Sequence, residues 1–231
     1  MCKLNIQNFI KVGAHFGHTT SKWNPNMRPY ILMKKGGIHI IDIYKTIKKI
    51  NEACKFIKNI ASSGKKILFV ATKKQAKDIV YDFAKKVNMP YITERWLGGI
   101  LTNMSTIRQS VKKMNVINHK KIDGTYNMMS KKERLLIDRL KIKLKKNIGS
   151  IYKMNSLPAC VIIVDVKKEK IAVKECNNLC IPIIGIVDTN SDPRNIDYPI
   201  PANDDSSKSI NLILSYITNS INEGILYKKK K

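Results

Sequence analysis

Acidic side chains are scarce in this chain: 17 Asp or Glu stand against 43 Lys or Arg, giving a net charge of +26 over 231 residues. An enzyme acting on neutral metabolites has no use for such an imbalance, and a polyanionic partner does. Arginine is scarce too, at six positions, so lysine carries almost all of the positive charge. Nothing approaches the roughly 20 apolar residues of a membrane span. The lysines also run along the whole chain instead of one amphipathic segment, which favours RNA or DNA over a membrane surface. The N-terminus has neither the apolar core of a signal peptide nor the Arg/Ser bias of a transit peptide, so the protein is expected to act where it is made, in a reducing compartment. Five cysteines without regular spacing fit free thiols and no disulfide framework.

Motifs for small-molecule chemistry are missing as well. GxGxxG follows none of the predicted strands, and Ser62-Ser63-Gly64-Lys65-Lys66 lacks the upstream glycine and the following Ser/Thr of a P-loop. Asp188 to Asp192 (DTNSD) begins like an EF-hand loop, but Pro193 takes the glycine position and Pro199 the position of the bidentate glutamate. His15 and His18 are either half of a zinc site or loop histidines that hydrogen-bond or touch RNA. Cys176 and Cys180, one helical turn apart, are either a metal pair or small core residues. No nucleophile, base and orienting acid stand in a recognisable spacing.

What is present is alternation. Apolar strands are expected at Ile38 to Ile43, Lys66 to Ala71, Tyr91 to Thr93, Cys160 to Val166, Pro182 to Val187 and Tyr198 to Ile200. Helices are expected at Asn5 to Ala14, Tyr44 to Ser62, Lys73 to Val87, Lys168 to Cys180 and Ser206 to Asn222, the last capped by Asp205 and ended by Gly224. Thr72 and Gln75 read as a capping box. His15 to Ile31, with two prolines and aromatics among Lys22 and Arg28, reads as an irregular loop. Strands alternating with helices give an α/β class with a doubly wound, mainly parallel sheet.

The middle of the chain does not alternate. Met104, Ile107, Val111 and Met114, and then Ile137, Leu140, Leu144, Ile148 and Ile151, follow three-and-four spacing. Ser130 and Glu133 form a capping box that restarts the helix after a turn. The expectation is an antiparallel hairpin arm at 102–154, inserted between 1–101 and 155–227 of the α/β body and followed by a basic tail at 228–231. Between Arg108 and Lys153, 14 Lys or Arg accompany three acids. At the entry to the arm, Gly98-Gly99 reads as a swivel. Arg95 is either an RNA contact or the partner of a carboxylate such as Glu94, and Trp96 either stacks on RNA or anchors the corner in the core.

Two groupings carry candidate chemistry. Thr72-Lys73-Lys74-Gln75 places two ammoniums at a helix N-terminus just after a buried strand, a general anion site. Asp188, Asp204 and Asp205 follow neighbouring strands and can converge at one sheet edge to hold a divalent cation, or serve as caps and turn residues.

GAHFGHTTSKWNPNMRPYI, KILFVATKKQA, RWLGGILTN, DGTYNMMSKKE, KECNNLCIPIIGIVDTNSDP and DYPIPANDD, in this order, closely resemble the small-subunit ribosomal protein two family of bacterial and organellar type. The resemblance implies a flavodoxin-like α/β/α sandwich with a coiled-coil hairpin, no catalytic activity and no required cofactor. It also implies contacts with small-subunit ribosomal RNA and with neighbouring ribosomal proteins, including docking of ribosomal protein one, in the cytoplasm of a bacterium or in an organelle that encodes its own ribosomal proteins. The expected RNA contacts are Lys22, Trp23, Arg28, Lys73, Lys74, Arg95, Arg108, Lys112, Lys113, Lys131 and Lys132. The rivals are a nucleotide-dependent α/β enzyme acting on an acidic substrate and a DNA-binding architectural protein.

Overall fold

Ile67–Val70, Cys160–Val164 and Ile183–Val187 contain no polar side chain and are buried along their whole length, as strands covered on both faces must be. In the computed structural model, which describes residues 5–148, 151, 154 and 156–229, they are β4, β6 and β7 of a five-stranded sheet. β5 (Tyr91–Ile92) and β8 (Tyr198–Pro201) complete it in the order β5-β4-β6-β7-β8, with every pairing parallel. Counted within the sheet, this is the doubly wound order 2-1-3-4-5.

Alternate residues of each strand serve two cores. Phe69, Ile162 and Ile184 face α2 (Ile43–Ser62), α3 (Lys74–Lys86) and α7 (Ser207–Lys229), whereas Leu68, Val161, Ile163 and Ile183 face α6 (Lys170–Asn178) and the corner around Trp96. Each fully buried Ile, Leu or Phe contributes about 1.5–3 kcal/mol relative to leaving it exposed. α2 and α7 lie so close that a Cβ on Gly224 would come within 2.6 Å of the Lys58 carbonyl oxygen and 2.7 Å of the Ala61 Cβ. Gly224 was expected to end the helix; it is instead a contact glycine, and α7 runs past it to Lys229.

Four further expectations are corrected. After the short α1 (Ile6–Lys11), His15 to Ile31 is not one irregular loop, since Phe16–Thr19 forms β1 and Pro25–Tyr30 a 3-10 turn. Ile38–Ile41 (β3) does not join the parallel sheet. It pairs antiparallel with β1 and with β2 (Ile31–Lys35) in a separate three-stranded sheet. Thr72 does not cap α3: Lys73 holds the cap position without a side-chain bond, and both the amide and the hydroxyl of Thr72 donate to Glu169. Asp205 does not cap α7 either, because the Ser206 hydroxyl accepts from the Ser209 amide and the Asp205 carboxylate turns elsewhere.

α4 (Met104–Ile122) and α5 (Lys131–Ile148) follow β5 and precede β6, joined by a turn around Gly124 and a 3-10 segment, Thr125–Met128. The Ser130–Glu133 box is present: the Ser130 amide donates to Glu133 at 3.0 Å and the Glu133 amide to the Ser130 hydroxyl at 3.4 Å. Ile107 and Met114 are buried as their spacing predicts, but Leu140 is 45% exposed instead of sealed in a seam. Ile148 closes α5, and its side chain lies outside the described residues.

Candidate functional site

In doubly wound sheets, ligands enter the crevice at the carboxyl ends of the strands, where the order reverses. In this protein that place, between β4 and β6, is filled from inside. The Lys73 ammonium lies 2.6 Å from Asp204, 2.7 Å from Asp205 and 3.4 Å from Asp165. Beside it Glu169 takes the Thr72 amide and hydroxyl, and the Lys168 ammonium donates to the Thr72 carbonyl at 2.9 Å. Burial opposes the charge of Lys73, but the hydrogen bonds to Asp204 and Asp205 outweigh it and raise its pKa. Burial, with Asp165 and Asp188 nearby, pushes Asp204 up to about 7 against the pull of Lys73. Lys73 was expected to meet RNA phosphate. Here three carboxylates surround the ammonium, and an added anion would meet their charge first.

The same edge gathers the three carboxylates proposed for a cation. His18 joins them, with Nδ1 3.1 Å from Asp188 and Nε2 3.4 Å from Asp205. One ligand atom each from His18, Asp188, Asp204 and Asp205 falls within 4.8 Å of the others. The hydrogen bond to Asp188 raises the His18 pKa, partly opposed by burial. His15 takes no part in this cluster and lies against the Phe16 ring at 4.0 Å. Cys176 is buried and Cys180 exposed beyond the end of α6, so they do not converge as a metal pair. Burial pushes the Cys176 thiol up to about 12, which keeps it protonated.

The corner before α4 is built on a residue that was not among the expected site residues. Glu175, buried on α6, accepts from Trp96 Nε1 at 2.9 Å and from the amides of Gly99, Leu101 and Thr102 at 2.8, 3.0 and 3.3 Å. Burial works against its charge, yet these donors together hold the carboxyl below its ordinary range. Trp96, 6% exposed, is therefore a core anchor and not a stacking platform. Gly99, at φ +87°, makes the turn, while Gly98 is not at positive φ and has open space around its Cβ position. The paired swivel reduces to a single glycine. One signal for Glu175 was available: a carboxylate three residues after Ala172 and next to Cys176 lies on the apolar face of its helix.

The remaining expected contacts are on the surface. Lys22, Arg28, Lys74, Arg95, Arg108, Lys112, Lys113, Lys131 and Lys132 are exposed. Trp23 is half-buried, its ring 4.9 Å from that of His39 and 6.0 Å beneath the Lys34 ammonium. Glu94, the partner weighed for Arg95, binds Lys77 at 2.6 Å. No helix among the described residues is long and apolar enough to cross a membrane.

A doubly wound sheet whose strand-end crevice is filled by its own lysine, with two basic helices between β5 and β6, is an α/β protein, and the family it matches is structural and not enzymatic. The model of the family ribosomal protein S2 matches residues 9–224, and the chain belongs to that family. It is 91% identical over 217 residues to small ribosomal subunit protein uS2 of Karelsulcia muelleri, covering 94% of this chain and 98% of the relative. It is 60% identical to the uS2 protein of Flavobacterium johnsoniae over 96% of this chain and 88% of the relative. With uS2 of Parabacteroides distasonis the identity is 53%, over 99% and 82%. The protein is a structural component of a small ribosomal subunit of bacterial type.

Proposed function

We propose that this protein is held in the small subunit by direct contact with ribosomal RNA, reading phosphate pattern and shape with little use of base sequence. The observation that carries this reading is the basic insertion, with 14 Lys or Arg against three acids between Arg108 and Lys153, while Ile107, Met114 and Ile117 turn inward. Residues 102–154 act as a coiled-coil arm on a flavodoxin-like body made of 1–101 and 155–227. The contacts are Lys22, Trp23, Arg28, Lys74, Arg95, Arg108, Lys112, Lys113, Lys131 and Lys132; Lys73 is left to the body.

The protein also docks ribosomal protein one. An apolar row across the small sheet supports a protein partner: Phe16 and Met33 both stand in register with Ile40 and are 46% and 52% exposed. The His18, Asp188, Asp204 and Asp205 cluster takes a divalent cation when Lys73 yields its place. Asp204 Oδ2, buried with no hydrogen-bond partner among the described residues, supports this. The ribosome concerned works in a bacterial cytoplasm.

In a magnesium-containing gradient the protein should sediment with small subunits and leave them at high salt. Recovery only in the low-mass fractions would overturn the reading.

A further inference from the structure

A cavity opens on the opposite face of the sheet from α2 and α7, beyond the ends of β6 and β7. Its volume is about 360 Å³, within the range of about 300–1,000 Å³ typical of pockets for a single small ligand. The floor is apolar, made by Val166 and Val173, both of the second core. Gly185 in β7 keeps that floor low, because a Cβ there would come within 2.8 Å of Val166. Asn24, Asn190 and Asn195 supply amides around the wall. The loop that carries two of them is braced: the Ser191 amide donates to the Asp188 carbonyl, and Asn177 Nδ2 to the Asn195 carbonyl at 3.3 Å.

The rim is cationic. Lys167, Lys170 and Lys174 succeed one another at three and four residues, a single stripe along α6 and the turn before it, and all three are exposed. Among the described residues none of them lies within 4.0 Å of a carboxylate. The one acid on the wall, Asp192, is taken by Arg194 at 2.8 Å. Lys73 on the other face is surrounded by acids, so the bare stripe is a local property and not the average of a basic chain.

An apolar floor, amides that can donate and accept at the edge of a planar ring, and unpaired ammoniums at the mouth are together the chemistry of a nucleotide. A double helix is too wide for such a cavity, whereas bases of unpaired RNA splay out and are read one at a time. We infer that this cavity receives one unpaired nucleotide of the RNA, its base over Val166 and Val173 between the asparagines and its flanking phosphates on Lys167, Lys170 and Lys174. The inference rests on the RNA-contact reading above and adds a site away from the arm.

The test is a titration of the full chain with small-subunit ribosomal RNA at several salt concentrations. Asn195→Trp, at an exposed position, closes the mouth without changing charge and should weaken binding about tenfold, of the order that one held base contributes, at an unchanged salt slope. Lys170→Ala with Lys174→Ala should flatten the slope by about 1.4 log units, at about 0.7 per lost contact to a single strand. Wild-type affinity in Asn195→Trp would overturn the pocket, even with RNA binding intact. Loss of slope only on neutralising Lys112 and Lys113 would overturn it too, and would leave the arm as the contact. No binding by the wild-type chain would instead remove the RNA reading itself. Acetylation of the three lysines gives a second readout: protection by RNA supports the site, and protection by polyglutamate but not RNA assigns it to an acidic protein and overturns the inference.

Discussion

The α/β sheet with its covering helices, the body, and the two helices α4 and α5 between β5 and β6 treat the same excess of lysine in opposite ways. Fourteen of the 17 acids are in the body, and several of them are buried around Lys73, Thr72 and Trp96. The segment from Arg108 to Lys153 keeps three acids for 14 bases, and its Lys112, Lys113, Lys131 and Lys132 are exposed. Carboxylates in the body thus act as internal joints, while the middle segment has few for that role. In so basic a chain, whether a given lysine is structural or meets a partner depends on where the few acids lie.

The contrast can be broken most sharply at Lys73. Replacing it with Ala leaves Asp204 buried without its cation, and removing one partner of a buried pair costs about 3–5 kcal/mol. Urea unfolding of the purified variant reads the loss. A cost below 1 kcal/mol would mean that the cluster is wet and that Lys73 resembles the arm lysines after all.

Glu175→Ala comes next. Several buried donors lose their acceptor, at about 1–3 kcal/mol for each group left unsatisfied. The same site has a pH signature. Its folded pKa is depressed, so its stabilisation is fully present above the unfolded value of 4.5 and is lost as pH falls through the folded value. Acid titration followed by Trp96 fluorescence should show a transition below pH 4.5 that Glu175→Gln lacks; the same curve for both would separate the corner from this carboxylate.

Gly99→Ala should cost about 1–2 kcal/mol, since an L-residue is placed in a left-handed conformation. Gly98→Val is expected to be close to neutral in thermal unfolding, because its Cβ meets nothing within 4 Å. Smallest in stability is Lys112→Ala with Lys113→Ala, within about 0.5 kcal/mol of wild type. This variant should nevertheless lose RNA affinity and salt dependence. A stable arm variant that binds RNA like wild type would end the comparison.

Much of the architecture was legible in residue type and spacing. CVIIV and ILFV can only be strands buried on both faces, and Ser130 with Glu133 marked the start of α5. The small sheet was hidden because its first strand, FGHT, has too little alternation to stand out beside the prolines that follow. Gly224 looked like a stop, since the sequence does not reveal that α2 runs past it at contact distance. Of the candidate site, the convergence of Asp188, Asp204 and Asp205 was readable from their positions at strand ends. The arrival of Lys73 among them was not, because a lysine after a strand looks the same whether it turns outward to phosphate or inward to carboxylates.

The close seat of α7 on α2 has a consequence in time. Lys58 and Glu223, which meet across it at 2.8 Å, are 165 residues apart. At synthesis rates of about 5–20 residues per second, α2 waits roughly ten to thirty seconds for the helix that covers it. Until then its apolar face stays open beside the surface of the ribosome that is making it. The first core of this ribosomal protein therefore closes only once α7 has been made, and trimming the last two turns of α7 should leave a chain that chaperones hold instead of one that folds.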